Sequence, residues 1–175
     1  MRHTAIALLI MLLTLCLPEA AFCDSDDTIV IEVTSMVASS AEASRADAEG
    51  EIEIDPQLSG LRKKLRSLFA YSHYAFLGRS SSQTKIGEVC VTQLPERFVL
   101  EVEPQVAKGG EGLIEMTVAL IRDVPTAGRP TPGRQRPERE IVLRTRIRLE
   151  SGGTVLLGGP PTAAGVLILA LSARR

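Results

Sequence analysis

The chain has 175 residues, a formal net charge of −1, no tryptophan and 3% aromatic residues. That length fits one domain with enough chain to bury a core. So few aromatic residues leave almost nothing on which to stack bases, which weighs against a nucleic-acid binder.

The charge is unevenly placed. Residues 24–55 hold ten acids and one base, Arg45, whereas residues 56–175 hold ten acids and eighteen bases. The net is therefore −9 for the first segment and +8 for the second. An acidic arm before a basic body either neutralises itself or leaves the body free for an anionic partner, and self-neutralisation is the simpler reading.

In chain order, residues 1–23 open with Met1-Arg2-His3, continue with an almost wholly apolar run over 5–17, and exit through Pro18, Ala20 and Ala21. A basic start, a short apolar run and small exit residues make a secretory signal peptide. The run is too short and wrongly flanked for a membrane span. Cleavage after Cys23 removes Cys16 and Cys23 and leaves Cys90 alone, with no intramolecular disulfide. Phe22 is too bulky for the usual position before a lipid-anchored Cys23, and retention of Cys23 would permit a Cys23–Cys90 bridge.

Residues 28–37 are rich in β-branched side chains, with Ile29, Ile31 and Val33 on one face of a first strand. Residues 38–54 are small, polar and acidic, a flexible loop that ends in a short extended piece at Ile52 and Ile54. Asp55-Pro56 is a helix start, a capping carboxylate before proline. Leu58, Leu61, Leu65 and Leu68 recur at helical spacing, which predicts one amphipathic helix over 56–70 with its leucines on the sheet. Residues 71–78 lead into a second strand, 85–93 form a third, and 94–97 a turn. A fourth strand, 98–103, ends at Pro104, and a fifth spans 113–121. Residues 123–139, with four prolines and four arginines, read as a long flexible loop.

The last third, 140–173, carries three strand patterns. In 141–150, Ile141, Leu143, Thr145, Ile147 and Leu149 alternate with Arg144, Arg146, Arg148 and Glu150, the mark of a strand with one buried face. Ser151-Gly152-Gly153 predicts a tight turn. Residues 154–157 form a strand ended by Gly158-Gly159-Pro160-Pro161, and 165–173, apolar on both sides, predicts a central covered strand. The fold class is α+β, mainly β: an antiparallel sheet or sandwich of about seven to eight strands with one helix packed on it, in a single domain over 24–175.

The chemistry-bearing residues are sparse. After export His73 is the last histidine, and nothing in the sequence places it beside Cys90 as a nucleophile and base. Nitrogen and sulfur metal ligands are lacking. Asp47, Glu49, Glu51, Glu53 and Asp55 lack calcium-loop spacing. Residues 153–160 lack the lysine and hydroxyl of a phosphate loop. The expectation is a protein without catalytic residues, cofactor or metal. The candidate site is the ladder Arg144, Arg146, Arg148, read either as an anion-binding face or, the favoured reading, as paired across strands with Glu101, Glu103 and Glu115.

One segment carries a family resemblance. Residues 98–160, with Val102-Glu103-Pro104-Gln105-Val106 and Gly152-Gly153-Thr154-Val155-Leu156-Leu157-Gly158-Gly159, are similar to the core β-strands of bacterial secretins. The overall layout also resembles short exported bacterial proteins. The resemblance implies an envelope protein, a component or accessory of an outer-membrane secretion assembly. The primary expectation is a secreted or periplasmic binding or accessory protein. It has no transmembrane helix in the mature chain, and its partner is another envelope protein or an anionic polymer. Export is checked by the mass of the secreted species: the mature chain should start at Asp24, and an intact Met1 in exported material would contradict the leader.

Overall fold

The computed structural model describes residues 28–40, 52–107, 112–124 and 138–175. The predicted leader, most of the predicted acidic loop and most of the predicted proline-rich loop lie outside them. The described strands are β1 (Thr28–Ser39), β2 (Glu53–Ile54), β3 (His73–Lys85), β4 (Cys90–Leu94), β5 (Phe98–Val106), β6 (Leu113–Val124), β7 (Glu138–Glu150), β8 (Thr154–Thr162) and β9 (Gly165–Arg174). One helical segment separates β2 from β3. The protein is mainly β, as its patterning predicts.

The strands form two sheets. The first has the order β2-β3-β1-β9-β8, the second β4-β5-β6-β7. Every pairing is antiparallel except that of β2 with β3. The sheets face each other across one apolar layer. Ile29, Ile31, Val33, Leu167, Leu169 and Leu171 come from the first sheet, and Phe98, Leu100, Val102, Met116, Val118 and Leu120 from the second. The opposite face of the first sheet presents Met36, Ala38, Tyr74, Ile168 and Ala170 to Leu58 and Leu65 of the helical segment. The result is three layers: helix, sheet, sheet. β9 is central and covered on both faces, as its continuous apolar run predicts.

The helical segment departs from the single helix expected over 56–70. Asp55 does cap it, accepting from the Gln57 N–H at 2.9 Å. Pro56–Leu61 is a 3-10 turn and Arg62–Leu68 a seven-residue α-helix. Ser59 and Gly60, both weak helix formers, sit where the tighter turn persists. Leu58 and Leu65 are fully buried and Leu61 is half-buried. Leu68, the last helical residue, is 62% exposed, because the chain turns extended at Phe69 and that ring takes the inward place. Beneath it the Tyr74 hydroxyl donates to the Phe69 carbonyl at 3.3 Å, and burial pushes the Tyr74 phenol above its ordinary value.

Several strand expectations are corrected. The segment 71–93 is not a lead-in and a strand from 85: β3 runs without interruption to Lys85, and β4 begins only at Cys90. A bulge leaves Leu77 unpaired between Phe76 and Gly78. It turns Tyr74 and Phe76 toward the helix while Thr84 stays buried. The stretch Ser80-Ser81-Ser82-Gln83 lacks apolar periodicity and pairs as a strand all the same. Pro104 does not end β5, which continues to Val106. The Pro104 carbonyl accepts from Gly87 N at 2.8 Å, on the side away from β6, so the missing N–H also points off the main ladder.

The last three strands are not one sheet. β7 belongs to the second sheet, β8 and β9 to the first. Ser151–Gly153 carries the chain across the sandwich, with Gly152 at φ 80° and its N–H donating to Ala173 at 2.8 Å. Gly158-Gly159-Pro160-Pro161 does not stop β8 either. It lies on an outer strand, where proline is tolerated, and the pairing bulges between Gly158 and Pro161. The loop expected over 38–54 is shortened by β1 and β2, and that over 123–139 by β6 and β7.

The two leucines separate docking from mere helix formation. Leu65→Ala should destabilise the protein by about 2–5 kcal/mol, while Leu68→Ala should stay within about 0.5 kcal/mol. Equal effects in chemical denaturation would mean that the helix does not pack as described.

Candidate functional site

The candidate site is the outer face of the second sheet. Alternation puts most apolar residues of β5, β6 and β7 inside, and their mostly polar neighbours outward in cross-strand rows. The register sets Glu101, Ala119 and Arg144 in one row, Glu103, Thr117 and Arg146 in the next, and Gln105, Glu115 and Arg148 in a third. Thus the three arginines do share one face, beside the carboxylates that period-two reading sets opposite them.

The pairing is unequal. Arg148 donates from Nη2 at 2.6 Å and from Nε at 3.2 Å to a single oxygen of Glu115. Arg146 reaches the other oxygen at 3.6 Å. Glu115 is consequently only 8% exposed although it points away from the core. Such a carboxylate, covered by two guanidinium groups, is held by charge-assisted bonds that partly compensate its desolvation. Arg144 has no carboxylate at ion-pair distance among the described residues. It lines a shallow depression with Val89, Glu101, Glu103, Thr117 and Ala119.

Glu101 is taken by a residue that sequence reasoning missed. Arg139 lies 3.4 Å from Glu101 and 3.5 Å from Asp123. The Asp123 oxygen facing it is buried without a hydrogen bond, so the contact is ionic only. Between those two acids the register places Val99 and Ile121, which with Ala119 form a small buried apolar cluster on this outer face. The signal for Arg139 existed in the alternation Glu138-Arg139-Glu140-Ile141. A bulge at Val142 hides it, because Leu143 pairs Leu120 and Ile141 pairs Ile121. That extra residue reverses the facing of Ile141 and Arg139 before it. Ile141, expected inside, is therefore outside and 56% exposed.

The remaining chemistry-bearing residues are scattered. His73 Nδ1 lies 3.2 Å from the Glu53 carboxylate, where β2 meets β3. Cys90, at the start of β4 in the other sheet, packs half-buried against the inter-sheet core. Among the described residues no cluster of histidine, cysteine or acids could hold a metal ion, and no helix is long and apolar enough to cross a membrane.

No family model matches the chain, and no curated protein matches it. Similar solved structures include the type II secretion secretin XcpQ from Pseudomonas aeruginosa, at 9% identity and a TM-score of 0.35, covering 98% of this chain and 62% of that one. Another is the β-barrel of the secretin domain of InvG from the Salmonella SPI-1 injectisome, at 13% identity and a TM-score of 0.31, covering 84% of this chain and 60% of that one. This chain spans less than two thirds of either.

Glu115 and Arg144 should answer differently to substitution. Glu115→Gln leaves two arginines crowded without their shared anion and should destabilise by about 1–3 kcal/mol, whereas Arg144→Gln should fall within about 0.5 kcal/mol. Thermal or denaturant unfolding reads both, and equal effects would remove the distinction drawn here.

Proposed function

We propose that the protein is an exported, non-catalytic β-sandwich that works by binding, as an accessory protein of the cell envelope. The observation that supports this most is the arrangement of its charged groups. Those of the candidate site lie on one sheet face with open depressions around Arg144 and around Arg146 and Arg148, and the groups suited to nucleophilic chemistry, Cys90 and His73, belong to different sheets and have other neighbours. Enzymes converge such groups in a cleft. Export rests on the N-terminal leader pattern.

A second reading, a component of an outer-membrane secretion assembly, rests on the secretin-like pattern of residues 98–160. The polarity of the sandwich weighs against this face lining lipid. A membrane-spanning barrel turns its apolar positions outward. Here Leu143, Ile147 and Leu149 turn toward the inter-sheet core, while Arg144, Arg146 and Arg148 face out. Pore formation would require the two sheets to separate and re-pair.

The readings differ in solution behaviour. The first expects a species that stays soluble without detergent and carries no hydrolytic activity on generic ester, peptide and phosphate substrates. Heat-resistant oligomers that need detergent would support the second. Turnover abolished by Cys90→Ser or His73→Gln would overturn the non-catalytic reading.

A further inference from the structure

We propose that β7 is a strand-addition site for an extended segment of a partner protein in which acidic and aliphatic residues alternate. The inference deepens the binding function proposed above and rests on it. β7 is thirteen residues long and ends the order of its sheet. Among the described residues no strand pairs with its outer edge. Alternate residues of an edge strand point their N–H and C=O groups away from the sheet, ready to pair with another strand.

The side chains on the two faces specify the rest. On the outer face, Glu115 is the one carboxylate among the described residues at ion-pair distance from Arg146 and Arg148, since Glu101 and Asp123 are engaged by Arg139 and Glu103 lies on β5, two strands away from β7. Arg146 keeps 67% of its side chain exposed despite its pairing. An acidic residue on an added strand would fall opposite each arginine, at the same two-residue repeat. On the inner face, Leu143 and Ile147 of β7, with Val155 and Leu157 of β8, are half-buried at the margin of the inter-sheet core. The intervening aliphatic residues of the same added strand would cover this margin. Backbone bonds supply affinity in this mode, and alternate side chains supply selectivity.

A second copy of the chain is a poor occupant. Two β7 strands paired about a two-fold axis through the ladder would set arginine against arginine, and like charges directly opposite are destabilising. β8, the outer strand of the other sheet, is a poorer acceptor, because Pro160 and Pro161 lie in it and its ladder bulges at Gly158.

The test uses the purified full chain and a synthetic peptide of alternating glutamate and valine, with alternating lysine and valine as control. The glutamate peptide should bind more weakly as salt rises and protect amides between Leu143 and Leu149 from hydrogen exchange. The lysine peptide should not bind. The double variant Arg144→Glu, Arg146→Glu should lose about tenfold or more in affinity for the glutamate peptide, a clear fraction of a typical binding free energy, and gain affinity for the lysine peptide. If that variant does not fold, Arg144→Gln alone, whose side chain lacks an ion pair among the described residues, should still weaken binding measurably. Equal binding of both peptides, protection centred on another strand, unchanged affinity in the folded variant, or dimers formed through β7 without peptide would each overturn the proposal. None of these results touches solubility or turnover, which test the broader reading separately.

Discussion

The structure depends on the burial of both faces of one strand pair, β1 with β9. Their register runs from Val30–Arg174 to Ala38–Val166, so strands from opposite ends of the described chain lie side by side at the centre of the first sheet. Alternate residues of this pair point to opposite sides, and most are apolar, Glu32, Thr34, Ser35, Ser172 and Arg174 being the exceptions. A sheet of that kind is stable only between two covering layers. The second sheet covers one side with Phe98, Leu100, Met116 and Val118, and the helical segment covers the other with Leu58 and Leu65. The helix is short because it has only a small patch, around Met36, Tyr74 and Ile168, to cover.

Close approach at the centre also constrains the turns. Gly165 opens β9 at φ 145°, and a Cβ there would stand 2.3 Å from the Ala38 carbonyl oxygen. Both the backbone conformation and the lack of space exclude a side chain, so this glycine is required by the β1–β9 pairing itself. Gly159 is tight for the same reason, with a Cβ 3.0 Å from the Leu167 carbonyl oxygen. Glycines that look like strand terminators in the linear chain therefore let strands approach each other.

The second sheet buries mainly one face, and its other face, apart from the small Val99, Ala119 and Ile121 cluster, is where charge gathers. The consequence is a network rather than a row of equal pairs. Glu115 serves two arginines, Arg139 serves two acids, and Arg144 is left over. Exposed ion pairs of this sort contribute little individually, on the order of 0–1 kcal/mol. The buried Glu115 carboxylate is the exception, since it is costly to leave without its cations. The face is thus acidic on β5, with Glu101 and Glu103, and cationic on β7, with Arg144, Arg146 and Arg148.

The sequence by itself determined what depends on local periodicity. The first strand with Ile29, Ile31 and Val33 inward, the cap at Asp55, the core positions Leu58 and Leu65, the doubly apolar β9 and the common face of Arg144, Arg146 and Arg148 are all readable from spacing. These properties follow from the two-residue repeat of strands and the 3.6-residue repeat of helices, which need no knowledge of neighbours. Only the tertiary structure decided which strands share a sheet. It separated β7 from β8, ran β3 through a serine-rich stretch with no apolar period, and extended β8 through two prolines. It also set the bulges at Leu77 and Val142. A bulge is one residue left unpaired against a partner strand, so it changes facing without any mark in local composition. The reversal at Val142 turned Ile141 outward and brought Arg139 over to Glu101, contacts that depend on long-range register and could not be read from the chain in one dimension.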